Sequence, residues 1–162
     1  MVQKILSLIM LLLSLNAKSQ NVDESIETED HSISAQLYTK CFENLNQGAE
    51  ILEKYPAFKE TKPCSLAYCM MLLSYKDEEI KLVAEQRLQG IATQLFQEGN
   101  PVYLISGMDS FLTAQEKNKN LEDDHHIVYI SYAECTSPEF LRRSADIVNA
   151  QTMQLIKQNS LR

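Results

Sequence analysis

The chain has 162 residues, with 15 lysines and arginines against 22 aspartates and glutamates, for a formal net charge of −7. That balance argues against nucleic acid and against an anionic membrane surface as partners, since both are gripped through Lys/Arg patches. It suits a basic protein partner, whose approach an acidic surface would steer, and it also serves plain solubility.

Met1 to Ser19, MVQKILSLIMLLLSLNAKS, sets one early cation, Lys4, before an apolar run from Ile5 to Leu15 and closes on the small residues Ala17 and Ser19. This is the layout of a secretory signal peptide, with cleavage expected between Ser19 and Gln20. The run is too short to cross a hydrocarbon core of about 30 Å as a helix. No cysteine follows closely enough to carry a lipid anchor. Removal takes away Lys4 and Lys18 and no acid, so the mature chain is more acidic still. The expectation is an exported, soluble protein working where disulfides form.

The stretch 20–32, opening QNVDESIETEDH, reads as a flexible acidic arm, and 33–162 as the helical domain. Ser34 to Tyr55 is predicted as the first helix, with Leu37, Cys41, Leu45 and Ile51/Leu52 near one stripe, Gly48 as a weak point and Pro56 as the stop. AFKETKP (57–63) is predicted as a loop. Cys64 or Ser65 opens a short, very apolar helix, SLAYCMMLLSY. Asp77 caps a long helix whose first turn holds Glu78 and Glu79, where the helix dipole favours anions. Its inner stripe is Ile80, Val83/Ala84, Arg87/Leu88, Ile91 and Leu95, and Gly99 with Pro101 ends it. Val102 to Gln115 is predicted as a further helix despite Gly107, followed by an exposed polar connector from Glu116 to Asp124. His125 to Cys135 carries strand propensity in its Ile, Val and Tyr residues. With no strand elsewhere to pair with, it is assigned to a helix. Ser137 at an N-cap and Pro138 at the first helical position then open a last helix to Lys157, with Leu141, Ala145, Val148, Thr152 and Leu155/Ile156 inward. The expected fold class is all-α: one compact, disulfide-stapled bundle of about five or six helices.

The chain has four cysteines, Cys41, Cys64, Cys69 and Cys135. An even number in an exported protein implies disulfides of open connectivity. Zinc is disfavoured because paired C-x-x-C spacing is missing. A catalytic cysteine served by His31, His125 or His126 finds no support in local sequence. Asp123, Asp124, His125 and His126 are the only metal-like cluster, but neighbours on a helix point about 100° apart and do not converge on one ion. They read as a helix start with acids in its first turn and solvated histidines. Helix capping accounts for Asp77, Glu78 and Glu79 without acid/base chemistry, nothing places a partner beside Glu134, and Met70 and Met71 read as core filler. The sequence holds no G-x-S-x-G, H-E-x-x-H or S-x-x-K motif and no Gly-rich phosphate loop. Neither a cofactor, nor a metal, nor an enzymatic activity is expected.

CSLAYCMMLLSYKDEEIKLVAEQRL, with Leu66, Ala67, Cys69, Tyr75, Lys76 and Asp77, resembles the opening of the periplasmic immunity proteins that neutralise type VI secretion amidase effectors. FQEGNPVYLI (Phe96 to Ile105) is similar to that family's glycine-containing turn. ISYAECTSPEFLRRSADI, through Cys135, Ser137, Glu139 and Leu141, resembles its closing segment. The resemblance spans Cys64 to Ile147, and Ser34 to Tyr55 lies outside it. It implies an all-helical, usually dimeric periplasmic inhibitor that plugs the groove of a cell-wall amidase. It also implies a Cys69–Cys135 disulfide, which leaves Cys41 with Cys64. The expected plug is the 116–124 connector, through Glu116, Asn118, Asn120, Asp123 and Asp124. The turn with Gln97, Glu98 and Asn100 is the second choice, since Gly99 lets backbone approach closely. The competing reading is an unrelated periplasmic helical binding or adaptor protein.

Overall fold

The computed structural model describes residues 29–60, 62–120 and 125–161. The signal peptide, most of the acidic arm, Asp123 and Asp124 lie outside the described residues. In chain order the elements are α1 Glu29–Thr39, α2 Ala49–Leu52, α3 Ala57–Glu60, α4 Leu66–Leu72, α5 Glu78–Gln97, β1 Val102–Ser106, α6 Ser110–Asn120, β2 Val128–Ala133 and α7 Glu139–Asn159.

α5 is the axis of the fold. Asp77 is extended (φ −76°, ψ 123°), and its carboxylate accepts from Glu79 N at 2.9 Å and Ile80 N at 3.3 Å, filling two of the donors that a helix start leaves unmet. Gly99, at φ 80°, ends the helix in the left-handed region that a side chain would resist. Ile80, Val83, Ala84, Arg87, Leu88, Ile91 and Leu95 are all buried, as the stripe requires. α5 packs against α4 and along α7. α4 is capped by Ser65, which accepts from Tyr68 N at 3.3 Å, and buries Leu66, Cys69, Met70 and Leu72. α7 buries Ala145, Val148, Thr152 and Ile156. It begins one residue later than expected, with Pro138 rather than Ser137 at the N-cap position and no side-chain cap.

The expected helix from Ser34 to Tyr55 is not continuous. α1 stops at Thr39, and the chain runs irregularly until the single turn of α2. Turn formers dominate the gap, in NLNQG. Gly48 adopts φ 65°, and a Cβ there would meet Val83 of α5 at 2.1 Å, so only glycine fits. Leu37, Leu45 and Leu52 are nevertheless buried, whereas Cys41, placed on the same stripe, is exposed once the helix is broken. Part of AFKETKP also forms the short α3 rather than a loop.

The larger correction is that 102–106 and 128–133 are strands, so the protein is mostly helical but not all-α. Neither has a partner in an all-helical reading; each is the other's partner. β1 and β2 pair in parallel from Val102↔Val128 to Ile105↔Ser131, with an irregularity before Ser106↔Ala133. Parallel pairing needs a long crossover, and α6 supplies it. VYLIS and VYISYA are rich in the β-branched and aromatic residues that fit a pleated surface. Val102, Leu104, Val128 and Ile130 face the core, while the Tyr103 and Tyr129 rings meet at 5.9 Å on the other side.

An isolated strand pair is marginal in water, and its outer edges expose unpaired amides. Here two asparagines close them. Val128 N donates to Pro101 O at 2.8 Å, an alternation that turns Leu104 and Tyr129 away from the neighbouring strand. On the β1 edge, Asn149 of α7 accepts from Leu104 N at 2.7 Å and donates to Leu104 O at 2.9 Å. On the β2 edge, Asn118 of α6 accepts from Tyr129 N at 2.7 Å and donates to Tyr129 O at 2.9 Å. Each carboxamide thus does the work of a missing strand.

Candidate functional site

The irregular stretch between α1 and α4 walls a groove of about 930 Å³. Phe42, Leu45 and Leu52 are buried beneath it, Phe58 is half-buried, and Glu43, Asn44, Asn46, Glu53 and Lys62 are exposed around it. Three devices hold a wall with so little regular structure. The Cys41–Cys64 disulfide closes it at the base, with Cα atoms 4.6 Å apart. Phe42 N donates to Cys64 O at 2.7 Å beside that staple. Arg87, reaching up from the inner face of α5, donates from Nε to Gln47 O at 2.7 Å, from Nη2 to Leu45 O at 3.2 Å and from Nη1 to Pro63 O. One side chain therefore gathers carbonyls from both ends of the wall. Arg87 is only 4% exposed, and no carboxylate among the described residues forms an ion pair with it. Burial pulls its pKa down from the usual value.

The far end of the wall is tied to the start of α5. Tyr55 Oη donates to Asp77 Oδ2, and Tyr55, Phe58 and Tyr75 form a chain of rings with centroids 5.9 and 5.4 Å apart. The Tyr55 hydroxyl, and then the Ile80 amide, hold the Asp77 carboxyl below its ordinary range. The same bond raises the Tyr55 phenol, which would lose its carboxylate acceptor on ionising.

The Cys69–Cys135 disulfide is a misreading. Both thiols are free, Cys69 buried and Cys135 exposed. Cys69 sits on the inner face of α4, its Sγ 3.7 Å from Pro63 O and close to Arg87, whereas Cys135 follows β2 in an exposed turn. Burial pushes the Cys69 thiol up to about 12 against a smaller pull from Arg87, so it stays protonated and inert. The Cys41–Cys64 bridge is present because α1 ends before Cys41, freeing the chain to turn back toward Cys64.

The connector expected as the plug is partly helix. Glu116 is exposed on α6, and Asn120 ends it. Asn118 is 6% exposed, with its amide spent on Tyr129 and on Ser34 Oγ at 3.1 Å, so it is a structural clamp and not a contact surface. Asp123 and Asp124 fall outside the described residues. The segment expected to open a helix at His125 and His126 instead turns into β2, with His126 at φ 52°. Gln97 ends α5 and is exposed. Glu98 forms an ion pair with Lys40 at 2.5 Å, next to the disulfide, and Asn100 Nδ2 donates to Glu98 O at 3.2 Å. The fold thus brings the 97–100 turn against the end of α1.

Sequence reasoning missed Arg87 as a site residue although the signal was visible: a charged residue on an otherwise apolar inner stripe requires acceptors. Among the described residues no His, Cys, Asp or Glu cluster is placed to hold a metal ion, and no helix is long and apolar enough to cross a membrane. No family profile, no curated protein and no solved structure matches this chain.

Proposed function

We propose that the protein is an exported immunity protein that binds a peptidoglycan-cleaving amidase and occludes its active site. The observation that carries this reading is the resemblance of 64–147, in particular the capped apolar helix, the Tyr75–Lys76–Asp77 break and the long helix after it. An occluding protein needs a rigid scaffold with projecting polar ends, not catalysis of its own. The disulfide supports a non-cytosolic setting. With Asn118 committed to β2, the contact surface proposed is the Gln97–Asn100 turn, exposed at Gln97 and Glu98, together with Glu116, Asn120, Asp123 and Asp124. The test is co-expression with an amidase encoded beside this gene and directed to the periplasm. Protection from lysis and a stable complex are the expected result, and failure to bind any such amidase overturns it.

A second reading, an unrelated periplasmic binding or adaptor protein, is favoured by two observations. The β1–α6–β2 unit and the unbridged Cys69 and Cys135 depart from the all-helical, Cys69–Cys135-bridged scaffold that the resemblance implies. Recovery from periplasmic extract of a partner that is not an amidase would decide for it.

A further inference from the structure

We infer that the groove beside the Cys41–Cys64 disulfide binds the C-terminal residue of a peptide, its carboxylate received by Arg87 and its apolar side chain by Phe42 and Phe58. Its basis, independent of the amidase reading, is an uncompensated charge in a shaped, partly apolar space.

Arg87 lines the groove although almost none of its surface is exposed. Buried charges are ordinarily matched by a countercharge as well as by hydrogen bonds. Here the guanidinium meets only neutral carbonyls, of Leu45, Gln47 and Pro63. It spends one donor of each nitrogen on them, and each terminal nitrogen keeps a further N–H. A carboxylate is the group whose paired oxygens match that remaining fork and whose charge cancels the one left over.

The rest of the lining narrows the ligand. Phe42, Leu45, Leu52 and Phe58 offer an apolar seat for one side chain. Asn44 and Asn46 are exposed at the opening, where carboxamides pair with a peptide backbone and are wasted on a lipid tail. Glu43, Glu53 and Lys62 also stand there, a rim of mixed charge that suits a polar peptide chain upstream of the terminus. The disulfide and Arg87 fix the wall beforehand, so little ordering is left for binding to oppose.

The experiment is calorimetric titration of the disulfide-bonded protein with acetyl-Lys-Ala-Leu bearing a free C-terminal carboxylate, and with the same peptide as its C-terminal amide. The acid is expected to bind about tenfold tighter or more, as loss of a charge-assisted pair implies. The ring signals of Phe42 and Phe58 are expected to shift in NMR spectra as it binds. Equal affinity of acid and amide, no binding of either, or shifts confined to other residues each overturn the inference. Hexanoate is the control for a free aliphatic acid: affinity matching that of the peptide acid overturns the assignment to a peptide terminus. Because the comparison is made on the natural chain, it does not depend on an Arg87 variant folding.

Discussion

The two-stranded sheet and the groove wall solve the same problem with different means. Both are short stretches of backbone that cannot satisfy themselves. The strands have apolar faces that enter the core, so neutral asparagine amides suffice to close their edges. The wall has only single helical turns and local turn bonds, and it is held to the rest of the fold by a covalent bond and by carbonyls converging on a buried cation. A segment with a repeating pattern can be finished by a local polar group; one without needs a centre around which it is arranged.

Arg87 is the sharpest place to break that comparison. Arg87→Met takes the guanidinium from three carbonyls, leaving Leu45 O and part-buried Gln47 O without that donor and Pro63 O with only the Cys69 thiol, and is expected to cost on the order of 4 kcal/mol in denaturant unfolding of the oxidised protein. A loss under about 1 kcal/mol would show that water replaces the guanidinium freely.

Removing the staple comes next. Cys41→Ala with Cys64→Ala opens a loop spanning 23 residues of sequence separation, for an expected loss of about 3 kcal/mol. The distinguishing readout is hydrogen exchange. The Phe42 amide, bonded beside the disulfide, is expected to lose protection, while those of Leu104 and Tyr129 in the sheet keep theirs. Loss of protection in both regions would make them one cooperative unit.

The reciprocal break is in the sheet. Asn118→Leu takes the acceptor from Tyr129 N–H, while Tyr129 C=O keeps the Ser34 hydroxyl, and Asn149→Leu takes both partners from Leu104; each is expected to cost about 2 kcal/mol while leaving the disulfide intact. The same denaturation measurements serve, with thiol titration to confirm the bridge.

A gain is expected where neither device operates. The Thr152 hydroxyl is fully buried on α7 with no hydrogen-bond partner among the described residues. Thr152→Val keeps the shape, removes the unmet group and should add about 1 kcal/mol, read as a higher melting temperature.

The smallest effect is a pH dependence. The Asp77 carboxyl lies below its ordinary range in the fold, chiefly through the Tyr55 hydroxyl. Its contribution is therefore full above the unfolded carboxyl pKa of about 4 and is lost as pH falls through the lower folded value. In Tyr55→Phe the Asp77 carboxyl should titrate closer to its normal value by NMR, and the acid limb of stability should flatten. An unchanged titration would show that the α5 amides alone hold it.

How much of this was legible beforehand follows the range of the interactions. Asp77, Ser65 and Gly99 act on amides within a few residues of themselves, so the caps and stops of α4 and α5 were readable. The inner stripes of α5 and α7 were readable for a similar reason: a helix repeats its buried face every few residues, whatever covers it. Arg87 on such a stripe already announced a buried charge, but not the carbonyls around it. Only the tertiary structure decided the rest. VYLIS and VYISYA are too short to choose between strand and helix until a partner arrives, and that partner lies across the whole of α6. Asn118 looked like solvated connector because its acceptor, Tyr129, is reached only through that pairing. The cysteines divided as they did because a disulfide is chosen by the distance between Cα atoms, which no spacing along the chain contains. What the sequence determined by itself is what local geometry enforces; what the fold decided is which distant groups meet, since a backbone amide or a thiol carries no mark of its partner until the chain brings the two together.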